Sequence, residues 1–233
     1  MEASEARDVF DQNAMTYDRV NTVLSLGLDG RWRRWVAGEA TWKPDARVLD
    51  AFSGTGLVGL AAASMGGKVT LADISPQMLS IAGKRAEKRD LIVDIKLVDL
   101  TKEPSLFKRE SFDSITIVFG IRYLKNPVEV LERLSFLLRP GGRLVALEFI
   151  VPSGGLISRL AAIYFFSILP TIGAFLAKQR RLYDYLVSST KVLGGKDNLL
   201  KIVSSAGFKV SKTKHFGFGL VCGVVASRSA RPL

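Results

Sequence analysis

The chain has 233 residues, of which 48% are hydrophobic and 24% are charged, so it can bury a sizeable core and is predicted to form a single domain. This composition is neither that of a disordered protein nor that of a bulk membrane protein. The formal net charge is +11. Because the basic residues are spread along the chain and form no recognition helix, nucleic acid is not expected as a partner.

One cysteine, Cys222, and one histidine, His215, limit the chemistry open to the chain. A single cysteine excludes an internal disulfide and fits a reducing compartment, and Cys222 is expected to be a small core residue. One histidine and one cysteine do not make a zinc site, so no metal is expected. The N-terminal residues MEASEARDVF lack the basic and apolar regions of a signal peptide, so a cytoplasmic location is expected.

Short β-rich segments alternate with helical patterns along the chain. Strands are predicted at RVLDAF (47–52), KVTLAD (68–73), VDIKLVD (93–99), FDSITIVFG (112–120) and RLVALEF (143–149). Helices are predicted between them at LVGLAAASM, PQMLSIAGKRAEKR and PVEVLERLSFLL, two of which begin with proline. After Gly207, FKVSKTKHF and GLVCGVVAS predict a closing pair of strands. The alternation predicts an α/β fold, with a parallel sheet covered by helices on both faces.

A ligand is predicted to bind where the first strand ends. Asp50 can accept hydrogen bonds there, while Gly54 and Gly56 let the backbone approach a ligand and the next helix directs amide donors towards it. Asp73 ends the second strand, where a carboxylate can hold two ribose hydroxyls. Gly54, Gly56 and Gly59 also fit the G-x-G-x-x-G spacing of dinucleotide sites, so the turn alone leaves an NAD site open.

Several segments, taken together, are more specific than the glycine turn. They are VFDQNAMTYDRVNTVLSLGLDGRWRR, VLDAFSGTG, LADISPQML, FGIR, LRPGGRLVALEF, LPTIGAFLAKQRRLYDYLVSS and AGFKVSKTKHFGFG. With them, nearly the whole chain resembles the ubiquinone/menaquinone biosynthesis C-methyltransferase family, within the class I S-adenosylmethionine-dependent methyltransferases. The resemblance implies a Rossmann-like class I methyltransferase fold, with a mostly parallel seven-stranded sheet that has one antiparallel strand. It also implies an N-terminal helical lid at about 1–42 and a helical cap at about 152–190.

The resemblance implies S-adenosylmethionine as the cofactor and a ring carbon of a reduced polyprenyl quinone precursor as the methyl acceptor. Three alternatives stay open: a methyltransferase for another lipophilic or aromatic small molecule, a non-catalytic binding or scaffold protein, and a dinucleotide oxidoreductase. The oxidoreductase is disfavoured because no Tyr-x-x-x-Lys relay or catalytic histidine follows the nucleotide-binding half.

Matching the family's motifs residue by residue assigns the candidate site. The implied cofactor-binding residues are Asp50, Gly54, Thr55, Gly56, Asp73, Ile74, Asp99, Leu100 and Val118. Thr101 is an alternative to Asp99 for contact with the adenine amino group. The implied substrate-binding residues are Asn21, Tyr164 and Tyr183.

Arg122, Tyr123 and Tyr17 are the catalytic candidates. Methylation needs an electron-rich ring, and a guanidinium at the carboxyl end of the fourth strand can stabilise a developing phenolate. A salt bridge that holds the strand edge is the alternative role of Arg122. Tyr17 and its neighbour Asp18 are candidates to close over the cofactor. Tyr123 replaces an asparagine typical of the family, and the last strand lacks the family's common histidine near Val224, which points to a divergent member and a different quinone.

The apolar stretch LISRLAAIYFFSILPTIGAFLA (156–177) approaches the length of a membrane span, but Arg159, Pro170 and Gly173 interrupt it. It is predicted to cap the active site and shield a lipid-soluble tail, with a buried core helix as the alternative. The basic residues that follow it are Lys178, Arg180 and Arg181. They predict peripheral contact with anionic lipid at the inner face of the cell membrane. The sequence leaves a homodimer open.

Overall fold

The structure, a computed structural model, describes residues 7–8, 11, 14–15, 18, 21–22, 25, 27–168 and 180–228, without the side chains of 180–184. The strands in this part of the chain are β1 (Arg47–Ala51), β2 (Lys68–Asp73), β3 (Val93–Leu97), β4 (Phe112–Val118), β5 (Leu138–Phe149), β6 (Phe208–Phe216) and β7 (Val221–Arg228). Its longer helices are α1 (Asp29–Ala40), α2 (Leu57–Ser64), α3 (Pro76–Glu87), α4 (Pro127–Ser135), α5 (Leu156–Ile163), α6 (Arg180–Leu193) and α7 (Lys196–Ser205).

The strands form one sheet in the order β3-β2-β1-β4-β5-β7-β6. Strand β7 runs antiparallel to both of its neighbours, and the other pairings are parallel. The predicted fold, a mostly parallel seven-stranded sheet with one antiparallel member, is therefore confirmed. Strand order reverses between β1 and β4, and in open α/β sheets a ligand crevice forms outside the carboxyl ends of the strands at such a point.

Helices cover the two faces of the sheet with two separate apolar clusters. On one face, α1, α2 and α3 contribute residues such as Val36, Ala62 and Leu79. On the other face, α4 and α7 contribute residues such as Leu131 and Leu199. Because both faces are covered, consecutive residues of the central strands β1 and β4 are buried, rather than every second residue.

Local sequence signals account for several element boundaries. Helix α3 begins with Pro76, and the Ser75 hydroxyl accepts a 3.1 Å hydrogen bond from the Met78 N–H, which satisfies one of the free donors at the helix start. Helix α4 likewise begins with Pro127. The chain reverses at Gly207, whose φ of +83° is a left-handed conformation that favours glycine.

Two strand starts differ from the sequence prediction. Strand β5 starts at Leu138, before the predicted Arg143. Its pairing with β4 is irregular between these two residues, where the chain contains two glycines. Strand β7 starts at Val221, because a 3₁₀ turn occupies Gly217–Gly219. The predicted cap contains α5 and a π-helical turn at Tyr164–Ile168, and residues 169–179 lie outside the described part. Within the described ranges, none of the helices combines the length and apolar character needed to cross a bilayer.

Candidate active site

Two adjoining cavities open at the carboxyl ends of the strands. The polar cavity, of about 310 Å³, is lined by Asp18, Arg33, Phe52, Ser53, Thr55, Asp73, Ile74, Met78 and Glu129, by residues 98–102, 118–120 and 123–126, and by Val130 and Arg133. The apolar cavity, of about 320 Å³, lies beside α1 and α5. Three residues line both cavities: Arg33, Phe119 and Tyr123. The two cavities therefore meet at these three side chains.

Asp73 is the carboxylate at the end of β2, and it lines the polar cavity. Its Oδ2 accepts a 2.7 Å hydrogen bond from the Gly54 N–H, and its Oδ1 accepts one of 2.9 Å from the Ser75 N–H. Burial raises the pKa of Asp73, and these backbone donors oppose that rise. Each carboxylate oxygen has a second lone pair, so Asp73 is placed to accept hydroxyl donors from a ligand.

Asp50 lies behind the glycine turn and is not among the lining residues of either cavity. Its Oδ2 accepts a 2.8 Å hydrogen bond from the Gly59 N–H, and its Oδ1 accepts one of 2.6 Å from the hydroxyl of Thr116, its register partner on β4. Burial raises the pKa of Asp50 to about 7, against the lowering effect of these hydrogen bonds. Asp50 therefore ties β1 to β4 and to the start of α2, and the prediction of direct cofactor contact has no geometric support.

The glycines of the turn meet steric as well as backbone demands. Gly56 has a φ of +75°, and a Cβ added there would lie 2.9 Å from the Cβ of Ala82. At Gly59 an added Cβ would lie 2.2 Å from a methyl carbon of Leu71. The G-x-G-x-x-G spacing thus reflects close packing of α2 on β2 and α3. Gly54 and Gly56 do not line the polar cavity, whereas Thr55 does.

The remaining predicted cofactor residues line the polar cavity: Ile74, Asp99, Leu100 and Val118. Thr101, the alternative to Asp99, lines it too. The Thr101 N–H and hydroxyl donate hydrogen bonds of 3.0 and 2.5 Å to Asp99 Oδ1, so the two side chains form one polar unit. Both assignments stay predictions.

Two acidic residues of the N-terminal segment, Asp11 and Asp18, bind the sheet edge beside the polar cavity, and Asp18 also lines it. Asp18 Oδ2 accepts hydrogen bonds of 2.6 Å from the Thr55 hydroxyl and of 2.6 Å from Arg85 Nη1. The Ser75 hydroxyl donates to Asp11 Oδ1. The hydrogen bond between Thr55 and Asp18 thus joins the glycine turn directly to the N-terminal segment. Tyr17, a predicted catalytic residue, lies outside the described residues.

The apolar cavity is walled mainly by aromatic and aliphatic side chains. Phe119, Phe149 and Phe165 form a continuous stack, with ring centroids 4.6 and 4.8 Å apart in successive pairs. Leu160 and Phe218 belong to its mouth, since both line it and are exposed. Of the predicted substrate-binding residues, Asn21 and Tyr164 line this cavity, while the side chain of Tyr183 lies outside the described part.

Arg122 lines the apolar cavity within a buried ion pair. Its side chain is 1% exposed, and its Nη1 donates to Oε1 of Glu148, which is 0% exposed. Nη2 donates a 2.8 Å hydrogen bond to the Tyr123 hydroxyl, and the guanidinium carbon lies 4.3 Å from the centre of the Tyr123 ring. The Tyr123 ring stacks on Tyr185 at 5.3 Å. The alternative role, a structural salt bridge, is therefore present, and catalysis by Arg122 stays a prediction.

Two aromatic residues at this edge have left-handed backbone conformations. Phe52 follows β1 with a φ of +56°, and Phe119 follows β4 with a φ of +59°. Such conformations cost about 1–3 kcal/mol in non-glycine residues and concentrate at functional sites. Both residues line the polar cavity, so the strain coincides with the ligand-facing ends of the central strands.

Sequence reasoning missed Asp29, Arg33 and Glu148. Glu148 was detectable in part, because a lone acidic residue in the apolar run RLVALEF requires a buried partner. Asp29 and Arg33 occupy the first turns of α1, where acidic and basic residues at a spacing of four are common on solvated helix faces. Only the three-dimensional structure shows that this face of α1 lines a cavity.

Comparison with known proteins agrees with this geometry. Residues 1–228 match the ubiE/COQ5 methyltransferase family. The chain belongs to this family. A demethylmenaquinone methyltransferase from Thermus thermophilus is 36% identical over 204 residues, which cover 87% of this chain and 92% of that protein. A ubiquinone/menaquinone biosynthesis C-methyltransferase from Pseudoalteromonas translucida is 33% identical over 222 residues, which cover 94% and 88% of the two chains.

The fold also matches solved methyltransferases. Magnesium protoporphyrin IX methyltransferase from Synechocystis, with bound S-adenosylhomocysteine, superposes with a TM-score of 0.66 at 18% identity and covers 98% of this chain and 100% of its own. A methyltransferase from Aquifex aeolicus gives a TM-score of 0.62 at 19% identity, with 84% and 89% covered. These comparisons confirm the predicted family, the methyltransferase fold and the dependence on S-adenosylmethionine.

The polar cavity of this ubiE/COQ5 family member fits that cofactor. Asp73 offers carboxylate lone pairs, and the Asp99–Thr101 unit offers a second polar contact beside apolar Ile74 and Leu100. In the described part of the chain, the buried Ser53 hydroxyl has no hydrogen-bond partner, and it lines the same cavity. A buried polar atom without a protein partner is expected where a polar ligand binds.

Proposed function

We propose that this protein transfers a methyl group from S-adenosylmethionine to a ring carbon of a reduced polyprenyl quinone precursor of the demethylmenaquinol type. The carrying observation is the contact between the two cavities, because Arg33, Phe119 and Tyr123 line both. A nucleoside cofactor fits the polar cavity, and a ring with an apolar tail fits the apolar one. The relatives' names support the substrate class, since they include demethylmenaquinone methyltransferases.

On the cofactor side, Asp73 would hold the ribose, and Ile74 with Leu100 would pack on the adenine. When bound, S-adenosylmethionine supplies an electrophilic methyl group on a positively charged sulfur. The chain's own contribution is to orient that group towards the apolar cavity and to keep water away from it. Thr55, held by Asp18, belongs to the wall that does so.

On the substrate side, the ring would lie beside Phe119 and Phe149, whose stacked rings offer flat apolar surfaces. A quinol oxygen gains negative charge as its hydroxyl loses its proton, and this charge makes the neighbouring ring carbon nucleophilic towards the methyl group. The Arg122 guanidinium would stabilise that charge, because it is fixed in place by Glu148 and Tyr123 and needs no reorganisation during the reaction. Asn21, which precedes α1, and Tyr164 of the cap both line the apolar cavity and would contact the substrate there.

The proposed activity is tested by incubating the protein with a short-chain demethylmenaquinol and S-adenosylmethionine carrying a deuterated methyl group. Mass spectrometry should show a product heavier by one trideuteromethyl group on a ring carbon. Thermal shift separates the rivals: S-adenosylhomocysteine should stabilise the protein and NADH should not. Stabilisation by S-adenosylhomocysteine without methylation of any quinol would favour a binding protein instead.

We also propose that the mouth of the apolar cavity contacts an anionic lipid surface. Several large apolar side chains are exposed there: Leu156, Ile157, Leu160, Ile163 and Phe218. Ile157, Leu160 and Phe218 line the cavity as well, so a lipid-soluble substrate entering from a bilayer would meet them first. Arg159 is exposed on the same helix, and the net charge of +11 favours an anionic surface.

A further inference from the structure

The apolar cavity contains an acidic group that the proposed role of Arg122 does not use. Asp29 lines it from the first turn of α1, and its side chain is only 7% exposed. Among the described lining residues it is the single carboxylate, and His215 is not one of them. A carboxylate in a cavity with so apolar a wall is costly unless it has partners.

Asp29 has two such partners, one for each oxygen. The Ser25 hydroxyl lies 3.1 Å from Oδ1, and Arg33 Nε lies 3.4 Å from Oδ2. Each oxygen of an ionised carboxylate can accept two hydrogen bonds, so both can accept one more donor. The carboxylate is therefore held in one orientation with lone pairs to spare.

The reaction proposed above needs a proton acceptor. Methylation of a ring carbon requires that a neighbouring hydroxyl lose its proton, and Arg122 cannot accept one, because a guanidinium has no lone pair available. Glu148 does not line the cavity and is bound to Arg122 and to the Phe149 N–H. Neutral tyrosine hydroxyls are weak acceptors. Asp29 is the acceptor that remains among the described residues of this cavity.

We infer that Asp29 is a catalytic residue that accepts the quinol hydroxyl proton, an inference that rests on the proposed function. The O–H bond breaks, and its proton moves to a carboxylate oxygen of Asp29. The oxygen's electron pair enters the ring as the ring carbon forms a bond to the methyl group, whose bond to sulfur breaks with its electrons left on sulfur. The ring C–H proton then leaves to solvent water, and the ring oxygen takes its proton back from Asp29, which restores the aromatic quinol and the ionised carboxylate.

Arg33 can stabilise the negative charge both before and after the proton transfer to Asp29. Before the proton moves, the Arg33 guanidinium faces the Asp29 carboxylate. After it moves, Asp29 is neutral and the negative charge lies on the quinol oxygen. Arg33 lines both cavities, and its guanidinium carbon lies 5.5 Å from the centre of the Phe119 ring at their junction. Its positive charge therefore has a negative partner on either side of the step.

The test compares Asp29→Asn with the wild-type protein in single-turnover methyl transfer, with Asp94→Asn on exposed β3 as the matched control. Asp29→Asn should bind S-adenosylhomocysteine with unchanged affinity. Its methylation rate should fall by about 10²-fold or more, the scale for loss of a general base. The control should keep the wild-type rate. The same comparison on hydroquinones with more acidic hydroxyls should give a smaller loss, because the proton then leaves more easily.

Each outcome decides a separate point. If the wild-type protein methylates no quinol, the proposed function fails. If it does and Asp29→Asn matches it, or if the loss is the same for every hydroxyl acidity, Asp29 is not the acceptor. Should Asp29→Asn fail to fold, Ser25→Ala serves instead, since it removes one anchor and keeps the carboxylate. It should show a smaller loss with the same dependence on hydroxyl acidity, and a uniform loss or none would overturn the inference.

Discussion

The Thr55 hydroxyl donates a 2.6 Å hydrogen bond to the carboxylate of Asp18, which also accepts one from Arg85. This contact joins the N-terminal segment to the glycine turn after β1 and to helix α3. Arg85 further donates a 3.3 Å hydrogen bond to the Thr55 carbonyl, so three separated parts of the chain meet at one point. The polar cavity, which Thr55 and Asp18 line, is thereby bounded in part by the N-terminal segment.

Asp18→Asn should weaken cofactor binding without unfolding the protein. The substitution removes the charge that Arg85 faces and weakens the bond to Thr55, and a hydrogen bond to a charged group contributes about 1.5–3 kcal/mol. Because Asp18 is partly exposed, solvent screening reduces this effect, and we expect a loss of affinity of roughly 1 kcal/mol. Calorimetry with S-adenosylhomocysteine measures it, with Asp45→Asn at an exposed ion pair as control. Equal affinities for the two variants would show that the contact does not support the cavity.

Asp73→Ala should weaken S-adenosylmethionine binding more strongly. The lost carboxylate takes with it the proposed ribose contact, at about 1.5–3 kcal/mol for each charge-assisted hydrogen bond. It also releases the N–H groups of Gly54 and Ser75, so the glycine turn loses an anchor. Asp73→Asn retains one acceptor oxygen, so its affinity for S-adenosylmethionine, measured by calorimetry, should lie between those of the wild-type protein and Asp73→Ala. An unchanged dissociation constant for a folded Asp73→Ala would contradict the ribose assignment.

The fold and the polar cavity could be predicted largely from the sequence, because their determinants are local. Strand β2, its final Asp73 and the start of α3 follow one another within a few residues, and hydrophobic periodicity with proline and glycine marks each boundary. Parallel pairing then places the strand ends at one edge of the sheet. Asp73 and Thr55 line the same cavity for that reason.

The apolar cavity could not be assembled from the sequence in the same way. Arg122 and Glu148 are 26 residues apart and meet only because β4 pairs with β5, while Asp29 on α1 lines the same cavity as Arg122. No periodicity records which helix face lines a cavity and which packs on the sheet. Asp50 shows the converse difficulty: its position at a strand end suggests a ligand contact, whereas in the structure it lies behind the glycine turn and accepts hydrogen bonds from its register partner Thr116 and from the Gly59 N–H. Direct contact of Asp50 with the cofactor stays a prediction.

Asp50 should make the stability of the protein depend on pH. Its pKa in the folded protein is about 7, above the ordinary 3.8, so the folded state holds the proton more tightly than the unfolded chain. The stabilisation is complete below about pH 4 and is lost as the pH rises through about 7, with a slope of up to ~1.4 kcal/mol per pH unit. Asp50→Asn lacks this proton. Urea unfolding across this range should therefore show the wild-type free energy of unfolding falling relative to the variant, and parallel profiles would contradict the shift.

The exposed apolar residues at the cavity mouth predict binding to anionic vesicles at low salt. Each basic residue near the surface adds about 1 kcal/mol, and salt screens this attraction, so binding should decrease as ionic strength rises. Leu160→Ser together with Phe218→Ser should reduce co-sedimentation, since both side chains are exposed there. Ile92→Ser, at an exposed apolar residue before β3, is the matched control. Absence of binding at low salt would leave the charge of +11 as an ordinary solvated surface.

The pairing of Arg122 with Glu148 decides how a catalytic role of Arg122 must be tested. Arg122→Ala would leave Glu148 buried without its cation, at a cost of about 3–5 kcal/mol, so a loss of activity there could follow from unfolding. The double variant Arg122→Met with Glu148→Gln removes both charges and is the appropriate test. Tyr123→Asn is a companion variant, because it restores the asparagine typical of the family and removes the hydroxyl that accepts a hydrogen bond from Arg122.

If Arg122 stabilises charge on the quinol oxygen, its interaction is stronger in the transition state than in the ground state. The double variant should then lower kcat by about 10²–10³-fold, the scale for one electrostatic donor, and leave S-adenosylmethionine affinity nearly unchanged. Arg122→Lys keeps the charge facing Glu148 but loses the planar fork, so it should recover little activity if the fork matters. Tyr123→Asn should raise turnover of a demethylmenaquinol if this residue alone shifts substrate preference. Single-turnover methyl transfer at saturating S-adenosylmethionine measures all three, and a folded double variant with the wild-type rate would make Arg122 a structural residue.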